Sequence, residues 1–525
     1  MVEAPGHDGR LRRVERTWPD GPGVTTDLDR PRDDIVLERR AGDGRFDQAA
    51  GPFQTYRRVV DRTPSGWHEV TEYRWSLPWF AWVFAIPLRL AIGRRWARPG
   101  AAGRARSATP WWAPPDRLDE RQLTVLGLLA AASMSSAFIN TVFTQTVEFA
   151  ADDFGIGDGG VGVSGSIVRA GILLALPASV AADRIGRRRV VTFLAVTAPL
   201  ITAAGAVAPN FPTLVATQTV GRPLGLALDL LIAVVATEEM PRNSRAYAVS
   251  VLAMASGLGA GVAVMALPLT DLAEGAWRFV YVLSLLWLAV AVSIARKLPE
   301  TRRFERAHVA APGIDRRRFA VVAIVAVASN VLVAPASLFQ NGYLEDERGF
   351  SGAAIALFTL STATPAAMGL IIGGRLADVR GRIRLAAVTL PIAAVCVVAS
   401  YSVGGPLMWM SAFSAGVLGG IVYPALAVYR TELFPTGSRG KAAGLLTAAA
   451  LLGGIAGLLT AGALLDAGWS HGSVMALLAS MQLVVVAVVL RWYPETAHRE
   501  LEELNPVDAV GKFQATPAGY TAPSA

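Results

Sequence analysis

Cysteine and charged residues are scarce in this sequence. Its 525 residues include one cysteine, Cys396, and only 17% of them are charged, whereas an average soluble protein is about 25% charged. One cysteine excludes an intramolecular disulfide scaffold. With 53% hydrophobic residues, most of the surface is unsuited to water. The sequence belongs to neither the disordered nor the collagen-like classes.

Residue patterns typical of enzyme active sites and metal sites are also missing from the sequence. His471 and His498 have no partners at metal-ligand spacing, and the sequence shows no Ser/His/Asp grouping, Cys/His cluster or phosphate-binding glycine loop. We therefore expect no enzyme, no cofactor and no metal site. The opening stretch MVEAPGHDGRLRRVER lacks an apolar segment, so it does not predict a signal peptide.

The net charge of +8 is concentrated in one region. Residues 1–50 hold 9 Arg and 11 acids, whereas residues 51–118 hold 11 Arg and 4 acids. This basic excess directly precedes the first long apolar run, where it favours an anionic membrane surface. We therefore expect a lipid bilayer as partner and no nucleic acid.

Twelve apolar runs follow one another between residues 121 and 491. Each is about as long as the ~20 residues that cross a bilayer. The predicted fold is an all-α integral membrane protein with twelve transmembrane helices. Basic residues dominate the second, fourth and sixth connections, and acidic residues the first, fifth and seventh. Because cytoplasmic loops carry the positive excess, we expect both termini in the cytoplasm and a multi-pass protein of the plasma membrane.

An internal repeat relates the two halves of this region. SVAADRIGRRR (179–189) returns as GRLADVRGRIR (374–384), and Pro-Glu-Thr at 299–301 returns at 494–496, both at an offset of 195. Glu238 and Arg245 return as Glu432 and Arg439, at an offset of 194. Three dissimilar motifs with nearly one spacing predict two homologous six-helix repeats.

The region before the first run has a different character. Residues 1–50 are polar and charged, which predicts a disordered tail. FQTYRRVV and HEVTEYRW flank a turn at Pro64–Gly66, which predicts a β-hairpin. The stretch 75–93 is either an interfacial helix, which the flanking arginines favour, or a thirteenth span. The predicted parts of the chain are the tail 1–50, a basic membrane-adjacent region 51–118, a six-helix bundle 119–297, a cytoplasmic loop 298–317, a second bundle 318–498 and a cytoplasmic tail 499–525.

The motifs resemble those of the major facilitator superfamily over about residues 119–500. The superfamily signature Gly-x-x-x-Asp-Arg-x-Gly-Arg-Arg is matched by Asp183, Arg184, Gly186, Arg187 and Arg188, with Ser179 in place of the first glycine. The Glu-x6-Arg pairs and the Pro-Glu-Thr segments are similar to those of sugar porters and related metabolite symporters. The resemblance implies a secondary transporter that works by alternating access.

Acids and arginines at the cytoplasmic helix ends form a predicted gating network. Such groups can bond across the two bundles when that side closes, although the arginines alone would also serve to set topology. The network residues are Asp183, Arg184, Arg187, Glu238, Arg245, Glu300, Asp378, Arg380, Arg382, Glu432, Arg439 and Glu495.

Ionisable residues at membrane depth are the main candidates for a substrate site. Arg169, Arg222 and Asp229 sum to +1, which suits a small polar or anionic metabolite; the alternative is a fixed Arg222–Asp229 brace. Asp229, or less favourably Glu148, is the candidate for proton coupling, so protons are one candidate coupling ion. The neutral polar candidates for substrate contact are Asn140, Gln145, Asn330, Gln340, Asn341 and Tyr423.

Two alternatives to metabolite transport remain open at this stage. One is export of hydrophobic compounds, and the other is a transporter-derived membrane sensor. The fifth helix lacks the Gly-Pro pair of many drug antiporters, and the seventh lacks the Gln-Gln pattern of hexose porters.

Overall fold

The computed structural model describes residues 11–21, 28–93, 113–114, 116–241, 244–300, 313–427, 429, 433–434 and 439–496. It consists of a small N-terminal sheet module followed by a helical membrane bundle. The side chains of eight members of the predicted gating network also lie outside the description: Asp183, Arg184, Glu238, Arg245, Asp378, Arg380, Glu432 and Arg439.

The N-terminal module is a five-stranded antiparallel sheet with the order β1-β5-β4-β3-β2. Its strands are β1 (Arg12–Trp18), β2 (Leu37–Gly42), β3 (Arg45–Ala50), β4 (Phe53–Thr63) and β5 (Gly66–Trp75). The predicted hairpin is confirmed as β4 and β5, with Thr63 paired to Gly66 across the turn.

The prediction of a disordered tail over 1–50 is wrong for its described residues, because three strands lie there. Their charge is compatible with folding because a buried ion pair links the strands. The fully buried Arg58 guanidinium lies 2.7 Å from the Glu38 carboxylate and 3.4 Å from that of Glu69, and it stacks on the Phe46 ring at 4.0 Å. A buried charge is tolerated when it is paired and hydrogen-bonded in this way.

The stretch 75–93 forms a short helix, Ala85–Gly93, which we call the N-terminal helix. Nine residues rise only about 14 Å, so this helix cannot cross a ~30 Å hydrocarbon core. Leu88 and Ile92 pack against the sheet, while Trp82 and Ile86 are exposed. The thirteenth-span alternative is therefore wrong, and an interfacial position remains a prediction.

Eleven helices in the described residues are long and apolar enough to cross a membrane. The second predicted span is the exception because it is built from three consecutive shorter segments. We number the twelve spans in chain order: 1, Glu120–Phe154; 2, Asp158–Ala170, Gly171–Ala175 and Leu176–Ile185; 3, Arg187–Val207; 4, Phe211–Glu239; 5, Arg245–Met265; 6, Trp277–Lys297; 7, Arg316–Leu338; 8, Gly352–Ala363 and Ala366–Arg380; 9, Arg382–Ser400; 10, Gly405–Ala427; 11, Arg439–Asp466; 12, His471–Ala479 and Met481–Trp492.

Local sequence explains several helix ends. Asp119 caps span 1 in a capping box with Gln122, and Gly155 ends the span in the left-handed conformation at φ 67°. A carboxylate at the first turn and a glycine after the last are the expected signals at these positions. Between spans 2 and 3 the chain turns at Gly186 (φ 102°), and between spans 8 and 9 at Gly381 (φ 90°). Equivalent positions of the 195-residue repeat therefore have similar backbone conformations.

The two ends of the bundle differ in charge. We call the end with Arg187–Arg189, Arg296 and Arg316–Arg318 the arginine face, and the end with Asp152, Asp153, Asp158, Asp271 and Glu345–Glu347 the acidic face. The N-terminal module lies at the arginine face. There Arg117 donates to the Asp34 carbonyl at 3.1 Å, and Thr124 donates to the Ser76 carbonyl at 3.1 Å.

Candidate functional site

Two arginines occupy the middle of the membrane bundle. Arg169 on span 2 and Arg222 on span 4 each lie eleven residues inside their helices, about 16 Å from the acidic face. The Arg169 Nη1 atom lies beside Gly454 of span 11, where an added Cβ would be 2.9 Å away. Arg169 thus reaches from the first half to the second. Its charge repels that of Arg222.

The described hydrogen bond of Asp229 lies within the first six-helix half. One of its carboxylate oxygens lies 3.3 Å from the Ser133 hydroxyl of span 1, which is also 3.1 Å from the Leu252 carbonyl of span 5. In the described residues no ion pair joins Asp229 to Arg222, so the geometry does not support the fixed brace. Asp229 lies seven residues, or about 10 Å, beyond Arg222 along span 4, so no described ion pair neutralises the two guanidinium groups.

The neutral polar candidates are spread over several places. The Asn140 amide lies 3.3 Å from the Ser136 hydroxyl, and Asn330 donates to the Ala326 carbonyl of its own helix. Gln340 donates to the Thr359 hydroxyl at 3.0 Å. Tyr423 is 64% exposed. In the described residues no hydrogen bond joins these four side chains to the two arginines, although a Cβ added at Gly225, one turn from Arg222 on span 4, would lie 3.6 Å from the Asn140 Nδ2 atom.

Asn341 and Gln145 do meet, and they meet between the halves. The Asn341 amide donates to the Gln145 carbonyl oxygen at 2.8 Å and lies 3.2 Å from its side-chain oxygen. One turn along span 1, the buried Glu148 packs against Gly342, where an added Cβ would be 2.9 Å from the Glu148 carboxyl carbon. The Glu148 Oε1 atom is buried without a hydrogen-bond partner. These contacts join the two halves on the side of the acidic face.

Two aspartates connect the halves reciprocally at the acidic face. Asp271, after span 5, accepts hydrogen bonds from the backbone N–H groups of Gly352 (2.7 Å) and Ala353 (3.0 Å) at the start of span 8. Asp466, at the end of span 11, accepts from the Gly159 N–H (2.8 Å) at the start of span 2. Each carboxylate therefore binds the helix N-terminus of the other half, where free N–H groups and the helix dipole favour negative charge.

Asp271 and Asp466 are separated by 195 residues, the spacing of the repeat. We call them the aspartate latch. Sequence reasoning missed the latch because aspartates in polar connections are common, and only the matching offset could have indicated it. The glycines beneath it permit the close approach: a Cβ on Gly159 would lie 2.0 Å from the Asp466 carboxylate.

A second repeated pair lies at the arginine face. Glu300 accepts from the backbone N–H groups of Arg187 (3.0 Å) and Arg188 (3.2 Å) at the start of span 3. Glu495 accepts from those of Arg382 (3.1 Å) and Ile383 (3.2 Å) at the start of span 9. Four members of the predicted network are thus brought together in pairs, each within one half; the other eight lie outside the described side chains.

Two repeated six-helix halves that enclose ionisable residues at mid-membrane depth are the architecture of a secondary transporter. The described hydrogen bonds between the halves lie toward the acidic face, so the halves are joined on that side. This geometry is that of a transport protein.

Family comparison agrees with this class. Residues 126–342 and 319–517 match the Major Facilitator Superfamily, and the chain belongs to that family. It is a multi-pass membrane transporter. No curated protein matches the chain.

Solved structures show the same fold at low sequence identity. The xylose transporter XylE from E. coli, in an inward open conformation, is 14% identical, with a TM-score of 0.63 over 74% of this chain and 99% of that one. A bacterial homolog of the human lysosomal transporter Spinster, inward-facing and unoccupied, is 18% identical, with a TM-score of 0.55 over 70% and 94%. The human organic anion transporter MFSD10 is 17% identical, with a TM-score of 0.52 over 72% and 100%.

Proposed function

We propose that this protein moves a small anionic metabolite, such as a carboxylate, across the plasma membrane by alternating access. The observation that carries the proposal is the uncompensated positive charge at Arg169 and Arg222. A charge at this depth is energetically costly, so an arginine there indicates a functional role. A guanidinium can bind a carboxylate through two parallel hydrogen bonds. The position of Arg169 against span 11 lets one substrate contact both halves.

Alternating access requires contacts that form on one side and break on the other. The aspartate latch supplies such contacts at the acidic face, since each of its two carboxylates binds backbone N–H groups of the opposite half. The predicted network at the arginine face, with Asp183, Asp378, Glu238 and Glu432, is the candidate for the other side. The positive-inside rule supports placing that face, and both termini, in the cytoplasm.

Proton coupling is the finer part of the proposal. Asp229 is the candidate carrier because a single serine hydroxyl holds it and because it lies two helical turns from Arg222 on one stripe of span 4. Glu148 is the second candidate, since its buried Oε1 atom has no partner. Transport driven by an imposed proton gradient would support coupling, and transport indifferent to the gradient would exclude it.

Substrate-dependent uptake into proteoliposomes tests the proposal. We expect Arg222→Gln to weaken carboxylate transport by about tenfold to a hundredfold, the contribution of one hydrogen bond to a charged group. Arg222→Lys should recover only part of this loss. Arg278→Gln is the matched control because Arg278 pairs with Asp153 outside the membrane core, at 2.8 Å. Carboxylate uptake by Arg222→Gln equal to that of the control would overturn the anionic assignment.

A further inference from the structure

A large cavity lies between the N-terminal module and the membrane bundle. It has a volume of about 950 Å³, within the range of ligand sites. One wall is formed by the aromatic segment 75–84, and the opposite wall by spans 1 and 5. The N-terminal module and the transporter thus build this site together.

The aromatic segment is fixed in position by close packing. Leu77 and Pro78 lie against Gly127 of span 1, where an added Cβ would come within 2.8 Å of both side chains. Trp79 adopts φ 65°, a conformation that is rare for a bulky side chain and that persists where its surroundings impose it. The cavity is therefore a built feature and not a gap beneath a loose loop.

The depth of the cavity matches one leaflet of a bilayer. On span 5 the lining extends from Tyr247 to Leu258, eleven residues or about 17 Å, and half of a ~30 Å hydrocarbon core is about 15 Å. Met254 and Leu258 also line it and are 71% and 58% exposed, so the cavity is open toward the hydrocarbon. An acyl chain is the occupant with this length, chemistry and route of entry.

Polar groups lie at the arginine-face end of the cavity, where headgroups would lie. Asp33, Asp34, Asp116 and Arg117 line it there, and Arg117 donates to the Asp33 carboxylate. Trp75 also lines the cavity, and its indole N–H is buried without a hydrogen-bond partner. Arg32 pairs with Asp34 at 3.0 Å, so this end offers both arginines and carboxylates, which complements a head that carries a phosphate and an ammonium group.

We propose that this cavity is a binding site for an amine-headed zwitterionic phospholipid of the leaflet at the arginine face. One acyl chain lies between the aromatic segment and spans 1 and 5. The ammonium group faces the carboxylates of Asp33 and Asp116, and the phosphate faces Arg117. The bound lipid then joins the N-terminal module to the bundle, independently of which substrate is transported.

The test uses the full-length protein, delipidated in detergent and titrated with dioleoylphosphatidylethanolamine or dioleoylphosphatidylglycerol. Bound lipid is counted by native mass spectrometry. We expect one phosphatidylethanolamine to be retained by the wild type, and to be lost in Val251→Trp and Leu258→Trp, which fill the cavity. Val249→Trp is the matched control on the same helix because Val249 is 45% exposed and does not line the cavity. Retention in both filled variants equal to the control would overturn the site.

The assignment of the lipid headgroup is tested separately. Asp33→Asn should weaken phosphatidylethanolamine binding by up to about fivefold, as expected for one partly exposed ion pair. Asp29→Asn removes an exposed ion pair with Arg40 elsewhere in the module and should have no effect. Equal affinity of the wild type for the two lipids would overturn the amine preference. Substrate uptake is measured on the same variants, so failure of the lipid site and failure of the transport proposal are distinguishable.

Discussion

At the scale of single residues, two repeated pairs of carboxylates act on backbone N–H groups at helix starts. Glu300 and Glu495 at the arginine face and Asp271 and Asp466 at the acidic face all do so. The first four N–H groups of a helix have no partner within it. A carboxylate from another element therefore satisfies them and fixes that element to the helix.

Replacing either glutamate of the arginine-face pair should destabilise the fold modestly. We expect Glu300→Ala and Glu495→Ala each to cost about 0.5–2 kcal/mol, the range measured for loss of a helix cap. Thermal unfolding in detergent provides the measurement. Glu274→Ala, at an exposed acidic-face position, is the control and should leave the midpoint unchanged. Equal midpoints for all three variants would show that the caps do not stabilise the structure.

Glu345 should make the acidic face sensitive to pH. Burial, and then repulsion from Asp152, Asp346 and Asp271, raises the pKa of this carboxyl to about 7. Because this pKa is above the ordinary value near 4.5, the closed arrangement binds the proton more tightly than a solvated one does. The extra stability that this proton gives the closed arrangement is fully present below about pH 4.5 and is lost as the pH rises through about 7.

Spin labels at Gly157→Cys and Ala467→Cys measure the distance between the halves at this face. We expect the separated population to grow between pH 6 and 8 in the parent, and to become independent of pH over that range after Glu345→Gln. Persistence of the same pH dependence in the glutamine variant would assign it to another group.

At the scale of helices, the aspartate latch is the contact most directly tied to transport. Neutralising a carboxylate weakens its bonds to the opposing helix N-terminus, which are worth about 1.5–3 kcal/mol when charge-assisted. We expect Asp271→Asn and Asp466→Asn to shift the equilibrium toward separation at the acidic face, and the double variant to shift it further. The spin-label distance reports this shift.

A matched control exists within the same chain. Asp315 caps span 7 through the N–H groups of Arg317 and Arg318, so Asp315→Asn removes the charge from the same kind of bond within one helix start. It should lower stability without separating the halves. Separation of similar size in the latch variants and in Asp315→Asn would mean that the latch acts through general stability alone.

At the scale of the whole molecule, the N-terminal module raises the question of transporter or sensor. It contacts span 1 through Thr124 and the loop before span 5 through Ser244, whose hydroxyl accepts from the Asp116 N–H at 2.9 Å. Removing residues 1–118 should therefore leave substrate uptake measurable while changing its rate, since the central arginines belong to the bundle alone. Complete loss of flux in a truncated protein with an unchanged thermal midpoint would favour the sensor.

Much of the membrane fold could be predicted because its signals are local and repeated. Apolar runs of helical length, the 195-residue offset and the glycines at 186 and 381 each read directly from the chain. The strands β1 to β3 could not be predicted in the same way. Their stability depends on Arg58 finding Glu38 and Glu69, and such pairing between distant charges leaves no periodic pattern.

The sequence by itself determined twelve membrane spans in two repeats, the distribution of charge between the two faces and the presence of arginines at mid-membrane depth. All of these follow from hydrophobicity and position along a helix. The tertiary structure decided which charges meet: it tied Asp229 to Ser133, placed Arg169 against span 11, and set Asp271 and Asp466 on the helices of opposite halves. A carboxylate takes whichever donor the packing of distant helices brings near, and that packing is a property of the whole chain.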